Sequence, residues 1–508
     1  MRPLLAAVAM LGAAGRAPAA DPQELAARID AHLDKHIASA KAVAAAPADD
    51  AEFLRRAYLD LTGRIPAPSE VHAFLTDPDP DKRAKLIDDL LDTPRHAAHF
   101  AALWRATLVP EVSAVPEARV FRAGFEAWLR QRFRANTRYD ALVRELLTTP
   151  ISADAEAPTP ALRRPDDPNP LAFYAVKEAK AENLAAAASR VFLGVQIECA
   201  QCHDHPYAKW TREQFWNTAA FFAGVERHGD GLFAPISEGK KREISPGAGK
   251  AAVPALFLDE SEPHWAAGGS PRAQFADWVA APKNPFFARA AANRVWGQLF
   301  GRGLVDPVDD FRDDNPPSHP ELLDELAKAF ADSGFDLRFL VQAIGRTKAY
   351  QRTSARTDAS QDDPKLFARA AVRGLTGEQL YDSLVRATGF REPRLGGPRD
   401  QFLTRFAPTG KPSEPETAIP QALMLMNGRF VADATTLDTS PTLLAAVETP
   451  GLTPAERVEL LYVSALGRRP SDGERDRMVR YVGTERIAER LGDVFWVLLN
   501  SAEFRLNH

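Results

Sequence analysis

Hydrophobic residues recur at helical spacing along most of the chain. In segments such as residues 53–61 and 86–91, apolar side chains fall three and four positions apart, which places them on one face of an α-helix. A Ser or Thr followed three positions later by Glu or Gln marks a capped helix start. This signature occurs at Thr211, Ser318, Thr376, Thr453 and Ser471. The pattern therefore predicts a mainly α fold.

Proline and glycine divide the helical pattern into two parts. Prolines concentrate in residues 150–170 and 307–320, which predicts long Pro-rich loops because proline does not continue a helix. Across residues 236–270, glycine, charged residues and short apolar pieces replace the helical spacing, and we expect a small β-hairpin there. The sequence predicts two helical domains, residues 22–235 and 271–506, with residues 236–270 as their junction.

Two segments near opposite ends of the chain are similar. Residues 58–66, YLDLTGRIP, and residues 462–470, YVSALGRRP, share tyrosine, glycine, arginine and proline at the same spacing. The glycine would end one helix and the proline would precede the next, which predicts a helix–turn–helix unit in each domain. A chance likeness between two helix ends is the alternative, and the sequence leaves both open.

The composition is that of a folded protein with nearly balanced charge. Its 508 residues are 45% hydrophobic, enough for more than one buried core. Lys and Arg number 63 and Asp and Glu 68, which gives a formal net charge of -5. This balance lacks the basic excess that nucleic acids attract, so we expect no nucleic-acid partner.

The first residues have the pattern of a secretory signal peptide. Arg2 precedes an apolar run over residues 4–14, and small residues follow at Ala17 and Ala19. We predict a signal peptide at residues 1–19. An apolar run of this length is too short to span a bilayer, so we expect a mature chain without a transmembrane anchor, located in the periplasm or secreted.

Both cysteines of the chain lie in one motif, Cys199-Ala-Gln-Cys202-His203. In c-type cytochromes, two thiols at this spacing attach haem covalently and the adjacent histidine binds the iron. The motif predicts haem c, with Cys199 and Cys202 as attachment residues and His203 as iron ligand. Two alternatives stay open: a zinc site that uses both cysteines with His203 or His205, and a disulfide between the two thiols.

A distal iron ligand would have to come from elsewhere in the chain. His205 is only two residues from His203, too close to reach the opposite haem face, so we expect it to support the site or to bind zinc in the alternative. Met424 and Met426 are the clustered methionines, although methionine beside leucine more often packs in a core. Without a distal ligand the iron would be five-coordinate and open to small ligands.

Two further groups of side chains allow both a functional and a structural interpretation. Aromatic residues follow the motif at Trp210, Phe215, Trp216, Phe221 and Phe222. They predict either the wall of a haem crevice or ordinary core, and core is the simpler interpretation. An acidic loop contains Asp309, Asp310, Asp313 and Asp314. It predicts either a cation site or solvated and helix-capping carboxylates.

Long stretches of the chain resemble two known families. The stretches FLRRAYLDLTGRIPAPSEV (residues 53–71) and FLGVQIECAQCHDHPYAKWTREQFWNTAAFF (residues 192–222) resemble the planctomycete-type cytochrome domain family of unknown function, PSCyt. The stretches NPFFARAAANRVWGQLFGRGLVDPVDDF (residues 284–311), NPPSHPELLDELA (residues 315–327) and QALMLMNGRFV (residues 421–431) resemble its companion domain, PSD. The resemblance implies this domain order and a cytochrome-like first domain, but no established reaction.

These observations lead to three functional hypotheses, of which the third is an enzyme that uses five-coordinate haem or a metal in a pocket formed partly by the loops around Asp309 and Trp296. The first is an exported mono-haem c-type cytochrome-like protein that transfers electrons to or from a partner oxidoreductase. The second is an exported binding or scaffold protein whose cysteine and histidine cluster holds zinc or a disulfide and has no redox role. HExxH, GxSxG and Rossmann motifs are missing from the sequence, so it assigns no enzymatic reaction.

Overall fold

α-Helices dominate the structure, as the hydrophobic pattern predicts. The computed structural model describes residues 21–156, 167–205, 207–247, 249–265, 269–391, 398–406 and 429–508. Helices make up 58% and strands 4% of the structure, so the predicted mainly α fold is confirmed. The predicted signal peptide at residues 1–19 lies outside the described residues.

The helices of the first part lead up to the CxxCH motif and continue just beyond it. They are α1 (Pro22–Ser39), α2 (Asp50–Thr62), α3 (Pro68–Thr76), α4 (Lys82–Leu91), α5 (Pro94–Leu108), α6 (Glu111–Ala114), α7 (Phe121–Arg134), α8 (Tyr139–Leu147), α9 (Ala172–Val176), α10 (Ala181–Ala188) and α11 (Arg212–Ala219). Short 3₁₀ or π turns cover Pro116–Val120, Ser189–Leu193, Glu198–Gln201 and Ala220–Phe222.

The helices of the second part continue to the end of the chain. They are α12 (Pro271–Val279), α13 (Phe287–Phe300), α14 (Pro320–Asp332), α15 (Leu337–Gly345), α16 (Lys348–Gln351), α17 (Gly377–Thr388), α18 (Pro398–Arg405), α19 (Arg429–Ala434), α20 (Pro441–Glu448), α21 (Pro454–Leu466), α22 (Asp472–Val482), α23 (Ile487–Asn500) and α24 (Ala502–Arg505). Two 3₁₀ turns cover Ala359–Asp362 and Pro364–Leu366.

Most of the predicted helix caps form. Capping boxes are present at Thr211, Thr376, Thr453 and Ser471. The box predicted at Ser318 is wrong, because α14 begins at Pro320 and its N-cap residue makes no side-chain cap bond. Proline favours the first position of a helix, where its missing N–H costs nothing, and this moves the helix start one residue beyond the predicted cap.

Three small antiparallel strand pairs complete the fold. They are β1 (Val225–Arg227) with β2 (Ile236–Glu238), β3 (Glu243–Ile244) with β4 (Val253–Pro254), and β5 (Arg373–Gly374) with β6 (Leu506–Asn507). The pair β3 and β4 lies within the predicted junction and confirms the small hairpin expected there. The pair β5 and β6 joins the middle of the second part to the C-terminal end.

Two large hydrophobic cores and one small cluster hold the described helices together. The larger core uses side chains from Leu25 to Phe367, on both sides of the 236–270 segment. The smaller core is formed by α17 and the helices after it, together with Leu59 and Ile65 from the α2 region. Helix α2, with Phe53 in the larger core and Leu59 in the smaller one, therefore packs into both. In the parts of the chain that the structure describes, every helix is too short or too polar to cross a membrane.

The two similar sequence segments have the same local geometry and contact each other. Helix α2 ends at Gly63 with φ 73°, and α21 ends at Gly467 with φ 71°. A side-chain carbon at Gly467 would lie 3.5 Å from Cγ of Pro66, in the other segment. The shared helix–glycine–helix unit is thus present in both places, and the two units pack side by side.

Buried polar side chains of α2 hold the C-terminal end of the chain. The Arg55 guanidinium, which is 1% exposed, donates to the carbonyl of Phe504 at 2.8 Å. Asp60 accepts two hydrogen bonds from Arg373, at 2.8 and 2.9 Å, and one from Asn507 at 2.7 Å. Because β5 and β6 contain Arg373 and Asn507, one helix near the N-terminus fixes the last strand of the fold.

Candidate functional site

The two cysteines lie on an exposed turn at the protein surface. Cys199 belongs to the 3₁₀ turn Glu198–Gln201, and Cys202 directly follows it. Both side chains are exposed, and neither forms a disulfide. Ala200 between them is fully buried, which anchors the turn to the larger core. The arrangement leaves both thiols accessible from solvent on an anchored backbone.

A close contact between distant segments fixes the approach to this turn. Gly194 has φ 71°, and a side-chain carbon there would lie 2.6 Å from the ring of Phe311. The backbone N–H of Phe311 donates to the carbonyl of Gly194 at 2.9 Å. Glycine is the residue that tolerates both the left-handed backbone and the close approach. The CxxCH segment is therefore held against the loop that contains Phe311.

A polar network joins the same two segments. Nε of Arg190 donates to Glu198, next to Cys199, at 2.6 Å, and Nη1 lies 3.9 Å from Asp309. The side-chain amide of Gln196 donates to Asp309 at 3.2 Å. Burial disfavours the charged Arg190, but the charge and hydrogen bond of Glu198 outweigh burial and raise the pKa of Arg190 above its ordinary value. The negative charge beside Cys199 is thus paired.

His203 is exposed, and its ring is oriented by the backbone. Nδ1 lies 2.8 Å from the carbonyl oxygen of Asp204. A carbonyl only accepts, so Nδ1 is the protonated nitrogen and Nε2 keeps its lone pair in the neutral ring. Histidines that bind metals usually donate their other ring N–H to a carbonyl or carboxylate in this way. His203 is therefore in the form that a metal ligand requires.

His205 has the opposite tautomer and a different role. Its Nδ1 accepts from the backbone N–H groups of Tyr207 at 3.2 Å and Ala208 at 2.9 Å. Its own backbone N–H donates to the carbonyl of Trp210 at 2.8 Å. Nδ1 is thus unprotonated and occupied, and Nε2 holds the proton. To bind zinc through Nε2, His205 would have to shift this proton, and to bind it through Nδ1 it would have to lose both hydrogen bonds. We therefore assign His205 to closing the loop after the motif.

The loop after the motif is tied to the helix that follows. The carboxylate of Asp204 accepts from the backbone N–H of Arg212, in the first turn of α11, at 2.8 Å. The indole N–H of Trp216 donates to the carbonyl of Gln201 at 3.1 Å. These bonds hold the middle of the motif, at Gln201, and the residue directly after it, Asp204, against α11. The thiols are therefore exposed on a loop that is firmly held by hydrogen bonds.

The aromatic residues after the motif form core beneath the turn. Trp210, Phe215, Trp216, Phe221 and Phe222 all belong to the larger hydrophobic core. The ring of Phe221 stacks on Phe257 with centroids 5.0 Å apart. This placement agrees with the ordinary-core interpretation.

The acidic loop is balanced by arginine and amide groups. Asp310 and Asp314 each lie 3.2 Å from Nε of Arg312, and Asp309 pairs as described above. Asp313 is exposed. Over the described ranges, no group of three or more His, Cys, Asp or Glu side chains is arranged to hold a metal ion. Asp309, Asp310 and Asp314 thus have structural partners and Asp313 is solvated, which agrees with the structural interpretation of this loop.

A cleft of about 210 Å³ opens beside the CxxCH loop. Its apolar wall includes Trp210, Phe286 and Phe311, and its rim includes Lys209, Arg289 and Arg312. Lys209 and Trp210 come from the loop after the motif, whereas the other four residues come from the start of α13 and the loop that follows it. The cleft therefore combines the two parts of the chain at the same contact as Gly194 and Phe311.

These residues fit covalent attachment and one axial bond of a haem, but not its full enclosure. The thiols are free and exposed, and His203 offers Nε2. Pockets that bury most of a drug-sized ligand measure about 300–1,000 Å³, more than this cleft. Met478 packs against the smaller core, and the two predicted distal-ligand candidates, Met424 and Met426, lie outside the described residues. An attached haem would stay largely at the surface.

Sequence reasoning missed the residues that position the motif. Arg190, Gln196 and Gly194 precede it, and each contacts the loop around Asp309 and Phe311. The available signal was the glycine after an apolar run, because glycine commonly ends a helix in the left-handed conformation. The partner loop lies more than one hundred residues further along the chain, where spacing gives no signal.

Two family models match the chain. Residues 28–227 match PSCyt2, described as a protein of unknown function (DUF1549), and residues 271–406 match PSD1, described as a protein of unknown function (DUF1553). No curated protein and no solved structure matches it. The first match contains the CxxCH motif, and the second contains Arg289, Asp309 and Phe311.

Proposed function

The chain belongs to the proteins that join a PSCyt2 domain to a PSD1 domain, and we propose that it is an exported mono-haem c-type protein that transfers electrons at its CxxCH turn. Both families are described only as proteins of unknown function, so support for the proposal comes from the site. The observation that carries it is the combination of two free, exposed thiols with a histidine whose Nε2 lone pair is available.

Covalent attachment requires chemistry that these residues can perform. Cys199 and Cys202 would each hold the haem through a thioether, in which the sulfur and the hydrogen of one thiol add to the two carbons of one vinyl group. The addition neither gains nor loses electrons, so no oxidant is needed. Both thiols must be reduced, and Cys199 and Cys202 are free. A disulfide between them would block the reaction.

The chain's own residues would hold the group and define its surroundings. Haem c supplies an iron that changes by one electron between the ferric and ferrous states. His203 would bind the iron through Nε2, and the carbonyl of Asp204 would keep that ring in the required tautomer. Because solvent exposure favours the more charged ferric state, we expect a low midpoint potential. A partner oxidoreductase would deliver and remove the electron at the exposed turn.

The test uses the full chain, exported from a bacterial host with cytochrome c maturation proteins. Intact mass and the reduced absorption spectrum should show one covalently bound haem. Cys202→Ser should leave at most one thioether bond and reduce the covalent yield sharply. His203→Gln should keep the bound mass but change the spectrum, because only the axial bond is lost. His72→Gln, at an exposed histidine of α3, is the matched control and should leave both unchanged.

A colourless protein of unmodified mass would overturn the proposal. It would favour the second candidate, an exported binding or scaffold protein with a disulfide or zinc at the turn. The observation that favours this candidate is the exposure of both Cys199 and Cys202 at the protein surface. A mass two daltons lower than that of the reduced chain would then identify the disulfide, and a stoichiometric zinc content would identify the metal site.

A further inference from the structure

We propose that the cleft beside the CxxCH turn binds the carboxylate groups of the haem attached there. The inference rests on the proposed function and deepens it, because it assigns a porphyrin-binding role to residues of both matched families. The residues assigned are Lys209, which follows the motif, and Arg289, on α13. The aromatic wall between them would contact the porphyrin edge.

The cleft begins close to the proposed iron ligand. Two residues of extended chain span at most about 7 Å, which limits the distance from His203 to His205. The ring of His205 accepts from the backbone of Ala208 at 2.9 Å, and Ala208 and Lys209 line the cleft. The cleft is therefore lined by the loop that continues from the CxxCH turn, and Phe311 in its wall also lies against Gly194, before the turn.

The walls of the cleft match the chemistry of a porphyrin edge. A haem presents a flat apolar ring with two carboxylates on one side. Trp210, Phe286 and Phe311 provide an apolar wall. The charged lining residues are three cations, Lys209, Arg289 and Arg312, and one carboxylate, the exposed Asp313, so positive charge is in excess. Guanidinium and ammonium groups form strong charge-assisted hydrogen bonds to carboxylates. An apolar wall with cationic donors at its edge is the arrangement that such a ligand needs.

Two of the rim cations are available for a ligand. Lys209 has no ion-pair partner within the described part of the chain, and its ammonium group lies 5.3 Å from the ring centroid of Trp210. Arg289 pairs with Asp324 at 3.3 Å, but both side chains are more than one-third exposed, and such surface pairs are weak. Its Nε is buried without a hydrogen-bond partner. Arg312 is excluded because two aspartates already balance it.

The size of the cleft limits what enters it. A volume of about 210 Å³ is too small for a whole macrocycle, since pockets that bury a drug-sized ligand start near 300 Å³. It suits one edge of the ring with its carboxylates. The thioether edge would remain at the surface turn, where a partner protein can reach it.

The first experiment measures the midpoint potential of the haem-loaded full chain. Lys209→Gln and Arg289→Gln each remove a positive charge near the proposed carboxylates, which favours the ferric state. We expect each substitution to lower the midpoint potential and the double variant to lower it further. Arg302→Gln is the matched control, because Arg302 is similarly exposed and ion-paired but does not line the cleft. Its potential should equal that of the unmodified chain.

The second experiment separates carboxylate binding from covalent attachment. The Cys199→Ser/Cys202→Ser chain is titrated with mesoporphyrin IX, a metal-free porphyrin dicarboxylate, and binding is followed by fluorescence. Loss of one cation should raise the Kd about tenfold, or about 1.4 kcal/mol, while Arg302→Gln leaves it unchanged. The dimethyl ester of the same porphyrin should bind more weakly and should not respond to Arg289→Gln.

The outcomes distinguish this inference from the proposed function. If haem is attached covalently but its midpoint potential does not change in Lys209→Gln and Arg289→Gln, the inference is overturned and the proposed function still stands. If the unmodified chain attaches no haem, the proposed function fails, and the porphyrin titration alone tests whether the cleft binds porphyrin carboxylates. Binding that depends on Arg289 would then support the cleft as a porphyrin-carboxylate site, and binding indifferent to it would overturn that assignment.

Discussion

The two repeated helix ends allow one substitution to be made twice in nearly identical backbone geometry. Gly63 and Gly467 both have φ near 70°, a left-handed conformation that costs a residue with a side chain about 1–2 kcal/mol. Gly63→Ala and Gly467→Ala should both incur this cost. Their surroundings differ, so any further loss of stability reports on packing alone.

The space around each glycine determines the expected difference. A side-chain carbon at Gly63 would lie 2.4 Å from Nδ1 of His99, whereas at Gly467 the nearest atom, in Pro66, is 3.5 Å away. The first distance requires His99 to move, and overpacking of this kind costs about 1–3 kcal/mol. The second is ordinary van der Waals contact. We expect Gly63→Ala to lower the free energy of unfolding by about 2–5 kcal/mol and Gly467→Ala by about 1–2 kcal/mol.

Urea denaturation of the full chain, followed by far-ultraviolet circular dichroism, measures both losses. A double-mutant cycle tests whether His99 causes the extra loss. In a His99→Ala background the crowding atoms are absent, so Gly63→Ala should lower the free energy of unfolding about as much as Gly467→Ala. Equal losses for the two single variants would refute the packing argument. An undiminished cost of Gly63→Ala without the His99 side chain would refute the assignment to His99.

Two further predictions concern buried charged or titratable groups. Burial lowers the pKa of His96, which contacts the carbonyl of Leu61, to about 4, below the ordinary 6.5 of an unfolded chain. The stabilisation from a neutral, buried His96 is complete above pH 6.5 and is lost as the pH falls toward 4, by about 3 kcal/mol in all. Denaturation at a series of pH values should therefore show a free energy of unfolding that decreases over this pH range. His96→Asn should make that decrease smaller. Arg55→Met removes the donor that binds the carbonyl of Phe504 and should cost about 2–4 kcal/mol. Hydrogen exchange at Leu506–Asn507 should accelerate in that variant, and unchanged protection there would contradict the proposed anchoring.

The features that the sequence predicted are those set by local chemistry. Capping boxes at Thr211 and Ser471 formed because a side chain and a backbone N–H three residues apart meet in any helix start. The small hairpin appeared where glycine and short apolar pieces interrupt helical spacing. The wrong box at Ser318 also has a local cause, since proline moved the helix start. Short-range signals therefore gave the helices and most of their ends.

The features that it missed depend on contacts between distant segments. The motif itself was identifiable, but the ring orientations of His203 and His205 follow from backbone bonds that no spacing rule gives. The pairing of Arg190 with Asp309 and the contact of Gly194 with Phe311 join residues more than one hundred positions apart. Such contacts result from how the two parts of the chain pack, so the structure was needed to find them.

The position of the CxxCH turn gives a physical reason for the two matched families to occur in one chain. Within the PSCyt2 match, the turn is held by its own loop and α11. The PSD1 match contributes Asp309 and Phe311, which contact Arg190 and Gly194 ahead of the turn, and Arg289, which lines the cleft beside it. The PSCyt2 segment alone would leave Arg190 and Gly194 without these partners. We therefore infer that the second family contributes to the geometry of the site and does not merely follow it in the sequence.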